Sequence, residues 1–334
     1  MGSITDVSGI KVGQTQDLVA LTGCTIILCP QGAVGGVDVR GSAPGTRETD
    51  LLDPSNLVQA VHAIALCGGS AFGLAAATGV MAWLSEHGYG FKTLHGVVPI
   101  VPAAVIYDKG LGSAEHYPDE QMGYIACTLA GNEVLEGSHG VGTGASIGKL
   151  MGVQHSMKSG VGSASSSIWL KQPDGEKRVY TVGALVVTNS FGDVYSQNKI
   201  IGGLCDHKNG ELLDTMRQLR LETSFSLKPE PGVNTTLAVI ATDAPLNKAS
   251  ARKLAQMAQD AISRAIRPAH TMFDGDTVFA LSTAPESEKT LDPFGLSCLG
   301  AIATEALIEA IERSVLEAHP AGGLPSARKP NRGE

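Results

Sequence analysis

The sequence predicts a layered α/β fold. Short runs rich in branched apolar residues alternate with longer stretches of helical apolar spacing along most of the chain. Hydrophobic residues make up 43% of 334 positions, enough to fill a substantial core. Glycine occurs 41 times, well above the usual share of about 7%, and so marks tight turns and close backbone approaches. Charged residues make up only 17% where about 25% is usual, which predicts surface hidden in an oligomer.

In chain order, residues 9–13 and Thr25–Cys29 read as strands. A glycine-rich segment from Gly32 to Gly45 follows, and then a loop of mixed charge with Arg40, Arg47, Glu48 and Asp50. Ser55–Ala65 is apolar at helical spacing, Gly68-Gly69-Ser70 interrupts it, and Ala71–His87 resumes as a small-residue helix. Val98–Tyr107 is β-rich, with Pro99 and Pro102 confining its start to an edge or bulge, and it delivers Tyr107 and Asp108 to a strand end. Met122–Ala130 reads as a short helix, Gly160–Leu170 and Tyr180–Val187 as strands, and 203–230 as a polar, exposed, partly helical connector. A strand starting at Thr236, a helix over Ala249–Ile266 stopped by Pro268, a strand over Thr277–Thr283 and a helix over Leu296–His319 complete the order. Pro320–Glu334 reads as a loose tail.

Composition narrows the function. A net charge of -8 argues against nucleic acid and anionic membranes, which need a basic footprint, and favours small-molecule partners. Met1–Asp6 lacks the pattern of a secretory signal, and no run approaches 18 uncharged apolar residues, so a cytoplasmic protein is expected. The six cysteines are scattered without a C-x-x-C pair and read as reduced, mostly buried thiols. Nine histidines include no H-E-x-x-H and no i, i+4 pair, so neither a metal nor another cofactor is expected.

Three stretches carry candidate chemistry. Gly144-Ala145-Ser146-Ile147-Gly148-Lys149 fits both G-x-S-x-G and S-x-x-K. A nucleophile elbow needs a buried strand upstream, however, and Glu133–Thr143 is polar and glycine-rich. What survives is Lys149 at the end of a compact glycine turn. Asn189 closes a strand, as a turn cap or as an oxyanion donor. Asp274 and Asp276, two residues apart, either sit in a solvated turn or, if extended, point the same way so that one pKa rises.

The stretch that organises the rest is Pro231-Gly232-Val233-Asn234-Thr235-Thr236, running into Leu237-Ala238-Val239-Ile240-Ala241. It fits a turn before a strand and an N-x-[ST] acceptor. It also fits self-cleavage. The Thr235 hydroxyl can attack the Asn234 carbonyl, and hydrolysis of the resulting ester frees an α-amine of reference pKa about 7.7–8.0 as general base.

Taken with Gly35–Gly41, Pro44–Thr49, Gly68–Leu74 and Val105-Ile106-Tyr107-Asp108, the Asn234-Thr235-Thr236 and Asp274-Gly275-Asp276 motifs resemble the DmpA-type aminopeptidases and nylon-oligomer hydrolases over about residues 8–317. That resemblance implies a four-layer αββα sandwich of the N-terminal-nucleophile type, shared with ornithine acetyltransferases. It implies a single catalytic domain cut into 1–234 and 235–334, the pieces assembling as a tetramer of cleaved heterodimers. The implied substrate is a small or short-oligomer amide. By motif, Thr235 is the nucleophile, Asn189 and Tyr107 stabilise the oxyanion or position the substrate, Lys149 sits beside the nucleophile, and Asp274 with Asp276 orients the Thr235 amine. Asn-Thr with Asp-Gly-Asp looks like the nylon-oligomer branch. Members that grip a free substrate ammonium carry Glu two residues before the tyrosine, where this chain has Val105. An apolar pocket wall at Val105 would disfavour a free N-terminus.

Overall fold

The computed structural model describes residues 2–171, 177–221, 232–285 and 287–327. Nine strands form one hydrogen-bonded sheet: β1 (Lys11–Asp17), β2 (Thr22–Val39), β3 (Thr46–Arg47), β4 (Ala60–Cys67), β5 (Ala103–Val105), β6 (Val161–Lys171), β7 (Lys177–Asn189), β8 (Thr235–Thr242) and β9 (Thr277–Ser282). The order is β6-β7-β8-β9-β2-β4-β5-β3, with β1 also on β2. The longer helices are α1 (Ala76–Glu86), α2 (Glu120–Thr128), α3 (Thr215–Leu221), α4 (Lys248–Ala265) and α5 (Pro293–Leu316).

The sheet folds over on itself through β2. The first half of β2 pairs with β1 and β4, its second half pairs with β9, and the register shifts between Leu28 and Ala33. Alternation along the strands then supplies two apolar faces to each half. Leu237, Val239, Ala241, Phe279 and Leu281 meet Ile27, Ile64 and Leu66 of the other half in a central core. Ala238, Ile240, Val278 and Ala280 face α4 and α5. Ile26, Leu28, Ala63 and Ala65 face α1 and α2. Three stacked cores make four layers, so the architecture is αββα.

Local chemistry explains the helix starts. Asn247 accepts from Ser250 N–H at α4, and Asp292 accepts from Gly295 N–H with Pro293 opening α5. The expected helix over Ser55–Ala65 is instead strand β4. Its eight residues are almost entirely buried because both faces are covered, and a short apolar run buried on both sides carries no period by which to tell strand from helix. The connector contains a short hairpin (Cys205–Asp206 with Glu211–Leu212) and α3, while 222–231 lies outside the described residues. The C-terminal tail is docked as far as it is described: Leu324 is buried, and Pro325 O accepts from Lys158 N–H at 2.8 Å.

Candidate active site

Strand direction gathers the site. β8 and β9 are parallel, so their N-terminal ends lie side by side, and Asn234 bridges Asp274 directly. β7 runs antiparallel to β8 and brings its C-terminal Asn189 opposite Thr235. Positions 189, 235 and 274–276 therefore meet at one end of the sheet. Segment 103–107 brings Tyr107 to the same place, where Asn189 Nδ2 donates to its carbonyl at 3.2 Å.

The bond between Asn234 and Thr235 is buried, with Thr235 only 3% exposed. The exposed connector expected from sequence thus ends in a bond that no outside protease can reach. Thr235 Oγ1 lies 2.5 Å from the Asn234 carbonyl oxygen and donates to it. Gly275 N–H donates to the same oxygen at 2.9 Å. Position 275 has no room to spare: a Cβ would lie 2.8 Å from Thr235 Oγ1 and 2.7 Å from Ala43 O, so a larger residue must displace its neighbours.

Lys149 Nζ donates to Asn189 Oδ1 at 2.6 Å, Asn189 O at 3.1 Å and Val233 O at 3.0 Å. Asn189 Nδ2 also reaches Val233 O, at 3.2 Å. Burial pushes the Lys149 ammonium down to about 7 against the pull of the Asp274 and Asp108 carboxylates, and Lys158 adds to the depression. Gly148, at φ +75° and against the backbone of Gly203–Leu204, turns the chain so that Lys149 points inward. Tyr107, Ser146, Lys149 and Val233 line a small cleft.

The two aspartates are both about 1% exposed, so the solvated turn is excluded. Burial first, and then the neighbouring Asp276 charge, raise Asp274 to about 6 against hydrogen bonds that lower it. Asp274 accepts from Thr271 N–H, Thr271 Oγ1 and Phe191 N–H. Asp276 accepts from Thr236 N–H at 2.7 Å and from His270. These carboxylates thus hold the turn and the residue after Thr235.

The model of peptidase family S58 matches residues 2–328. The chain belongs to peptidase family S58. An uncharacterized aminopeptidase of Mycobacterium leprae (strain TN) is 43% identical over 98% of this chain and 93% of its own length. A 6-aminohexanoate-oligomer endohydrolase of Kocuria sp. (strain KY2) is 31% identical over 92% and 84%. The L-aminopeptidase D-Ala-esterase/amidase of Ochrobactrum anthropi, described as a variant of the Ntn hydrolase fold, superposes with a TM-score of 0.76 at 21% identity over 98% of this chain and 91% of that one. The S58 chain is therefore a hydrolase of amide or peptide bonds with the N-terminal-nucleophile fold.

The structure brings together Thr235, Asn234, Asn189, Lys149, Tyr107, Asp274 and Asp276. Val105 is a correction: it is 5% exposed, packs in the core beneath α1 and contacts Gly45, so it walls the interior and not the cleft. Tyr107 meets Asn189 through its carbonyl and not its hydroxyl. Four contributions went unread. Ser146 acts through its backbone, donating N–H to Asn189 Oδ1 at 3.1 Å. Gly275 supplies a donor to the Asn234 carbonyl. His270 braces Asp276. Lys158, fully buried, spans the carbonyls of Gly142, Thr143, Ala145 and Ser159 and ties down the glycine turn. His270 had a signal, four residues before Asp274-Gly275-Asp276; Lys158 had none.

Proposed function

We propose that the chain is an autoprocessed N-terminal-threonine amide hydrolase, and the observation that carries this is the Thr235 hydroxyl 2.5 Å from the carbonyl oxygen of its own preceding residue. In the first step the Thr235 Oγ–C bond to Asn234 forms, the Asn234 C–N bond breaks, and the hydroxyl proton ends on the departing amine. Gly275 N–H supports the oxyanion that forms on Asn234. Water then hydrolyses the ester, leaving an Asn234 carboxylate and a Thr235 with free hydroxyl and α-amine.

Until that happens the chain fills its own site. Lys149 Nζ and Asn189 Nδ2 both spend hydrogen bonds on Val233 O. Once the new C-terminus withdraws, those donors face the cleft and receive a substrate carbonyl. Thr235 Oγ attacks that carbonyl carbon, its own amine takes the proton and passes it to the leaving amine, and water resolves the acyl-Thr235 ester.

Linear aminoalkanoate or peptide-like amides, cut internally, are the first reading of the substrate, supported by the 31% identical relative named a 6-aminohexanoate-oligomer endohydrolase. An exo-acting aminopeptidase is the second reading, favoured by the 43% identical relatives of that name. Denaturing mass spectrometry of the wild type should give fragments 1–234 and 235–334, while Thr235→Ala stays intact and inactive. An intact wild-type chain after long incubation removes the proposal. Chromatography of free and N-acetylated oligomers separates the two readings: cleavage of both supports internal hydrolysis, and cleavage of the free amine alone returns the aminopeptidase. Acetylornithine formed with ornithine as acceptor would point to a transferase instead.

A further inference from the structure

His270 takes no part in the steps above, yet it is locked beside them. Its backbone has φ +56°, in the left-handed region that costs a residue with a Cβ of the order of 1 kcal/mol or more and that gathers at functional sites. Nδ1 lies 2.8 Å from Asp276 Oδ2, and the His270 backbone N–H donates to the same oxygen at 3.2 Å. The other oxygen of Asp276 holds Thr236 N–H at 2.7 Å. Among the described residues no other side chain donates to Asp276, and Asp274 is occupied by Thr271 and Phe191. A carboxylate only accepts, so Nδ1 carries the hydrogen. Nε2 is buried and has no hydrogen-bond partner among the described residues.

We propose that His270 is a positioning residue for amide hydrolysis: by fixing Asp276 it holds Thr236 N–H, and through that residue keeps the Thr235 hydroxyl and new amine in register for attack. The inference rests on Thr235 as nucleophile. The left-handed backbone is the second half of the device, since it turns the ring of a loop residue back onto a carboxylate six positions along.

Three substitutions test it on the processed enzyme, using the amide that the wild type turns over fastest. His270→Asn keeps a donor close to the place of Nδ1 and tolerates the left-handed backbone. His270→Gly deletes the ring without strain. His270→Asp has the shape of Asn but no donor. Loss of a hydrogen bond to a charged group corresponds to roughly ten- to hundredfold. The expected result is that kcat falls by about that factor in Gly and Asp with KM nearly unchanged, and that Asn recovers most of it. Wild-type kcat in Gly, or equal kcat in Asn and Asp, overturns the role; the Asn–Asp pair decides the matter if Gly does not fold. Thr235→Ala run alongside separates the failures. If it is active, the nucleophile assignment is wrong; if it is inactive while His270→Gly keeps full kcat, only the positioning role falls.

Discussion

Lys149 and Lys158 are buried cations that spend their hydrogen bonds on carbonyl and amide oxygens and not on carboxylates. Burial lowers both to about 7 from an ordinary 10.5. Between those values the unfolded chain binds a proton at each position that the folded chain does not, so this contribution to stability grows as pH rises and is lost as pH falls toward 7. Denaturant midpoints at about pH 7 and about pH 9 should show that gain in the wild type, and Lys158→Met should show about half of it. An equal gain in both would mean that Lys158 keeps an ordinary pKa. Single residues were also where the sequence was most informative about chemistry. A hydroxyl after Asn234, a strand-terminal Asn189 and a lysine after a glycine turn each also fit an ordinary turn or cap, and only in combination do they point to one site. His270 was passed over because its role depends on a left-handed backbone, and Lys158 because a lone lysine before Ser159 reads as surface.

At the scale of elements, the turn Asp274-Gly275-Asp276 sets the geometry of the Asn234–Thr235 bond. Gly275 serves with its N–H and with its missing side chain, since a Cβ there would press on Thr235 Oγ1, Ala43 O and Pro44 Cα. Gly275→Ala should fold and yet process slowly, because a displacement near 1 Å at a reacting group costs on the order of 10²-fold. A gel time course of the precursor reads this directly, and processing at the wild-type rate would show that the turn has slack. Strands and helices with clear periods, such as Lys248–Ala265 and Thr277–Ser282, were legible in advance. Ala60–Cys67 was not, because its environment and not its pattern makes it a strand. The approach of Asn189, Thr235 and Asp274 was not legible from spacing either: it follows from two strand directions that only the assembled sheet decides.

For the whole molecule, cleavage at Asn234 would leave β8 between β7 and β9, with α4 and α5 of the C-terminal piece packed on strands of the N-terminal one. Fragments 1–234 and 235–334 should therefore co-elute under native conditions and separate only on denaturation. Independent elution without denaturant would mean that the layers do not survive the cut. The central claim is that Thr235, freed at the N-terminus of the second fragment, carries the acyl group during turnover. Rapid acid quenching of the enzyme at work on an ester or amide substrate, followed by digestion and mass spectrometry, tests it most directly. The account predicts the acyl mass on the peptide that begins with Thr235; acyl mass on a peptide carrying Ser146 instead, or turnover by uncleaved Thr235→Ala, would contradict it.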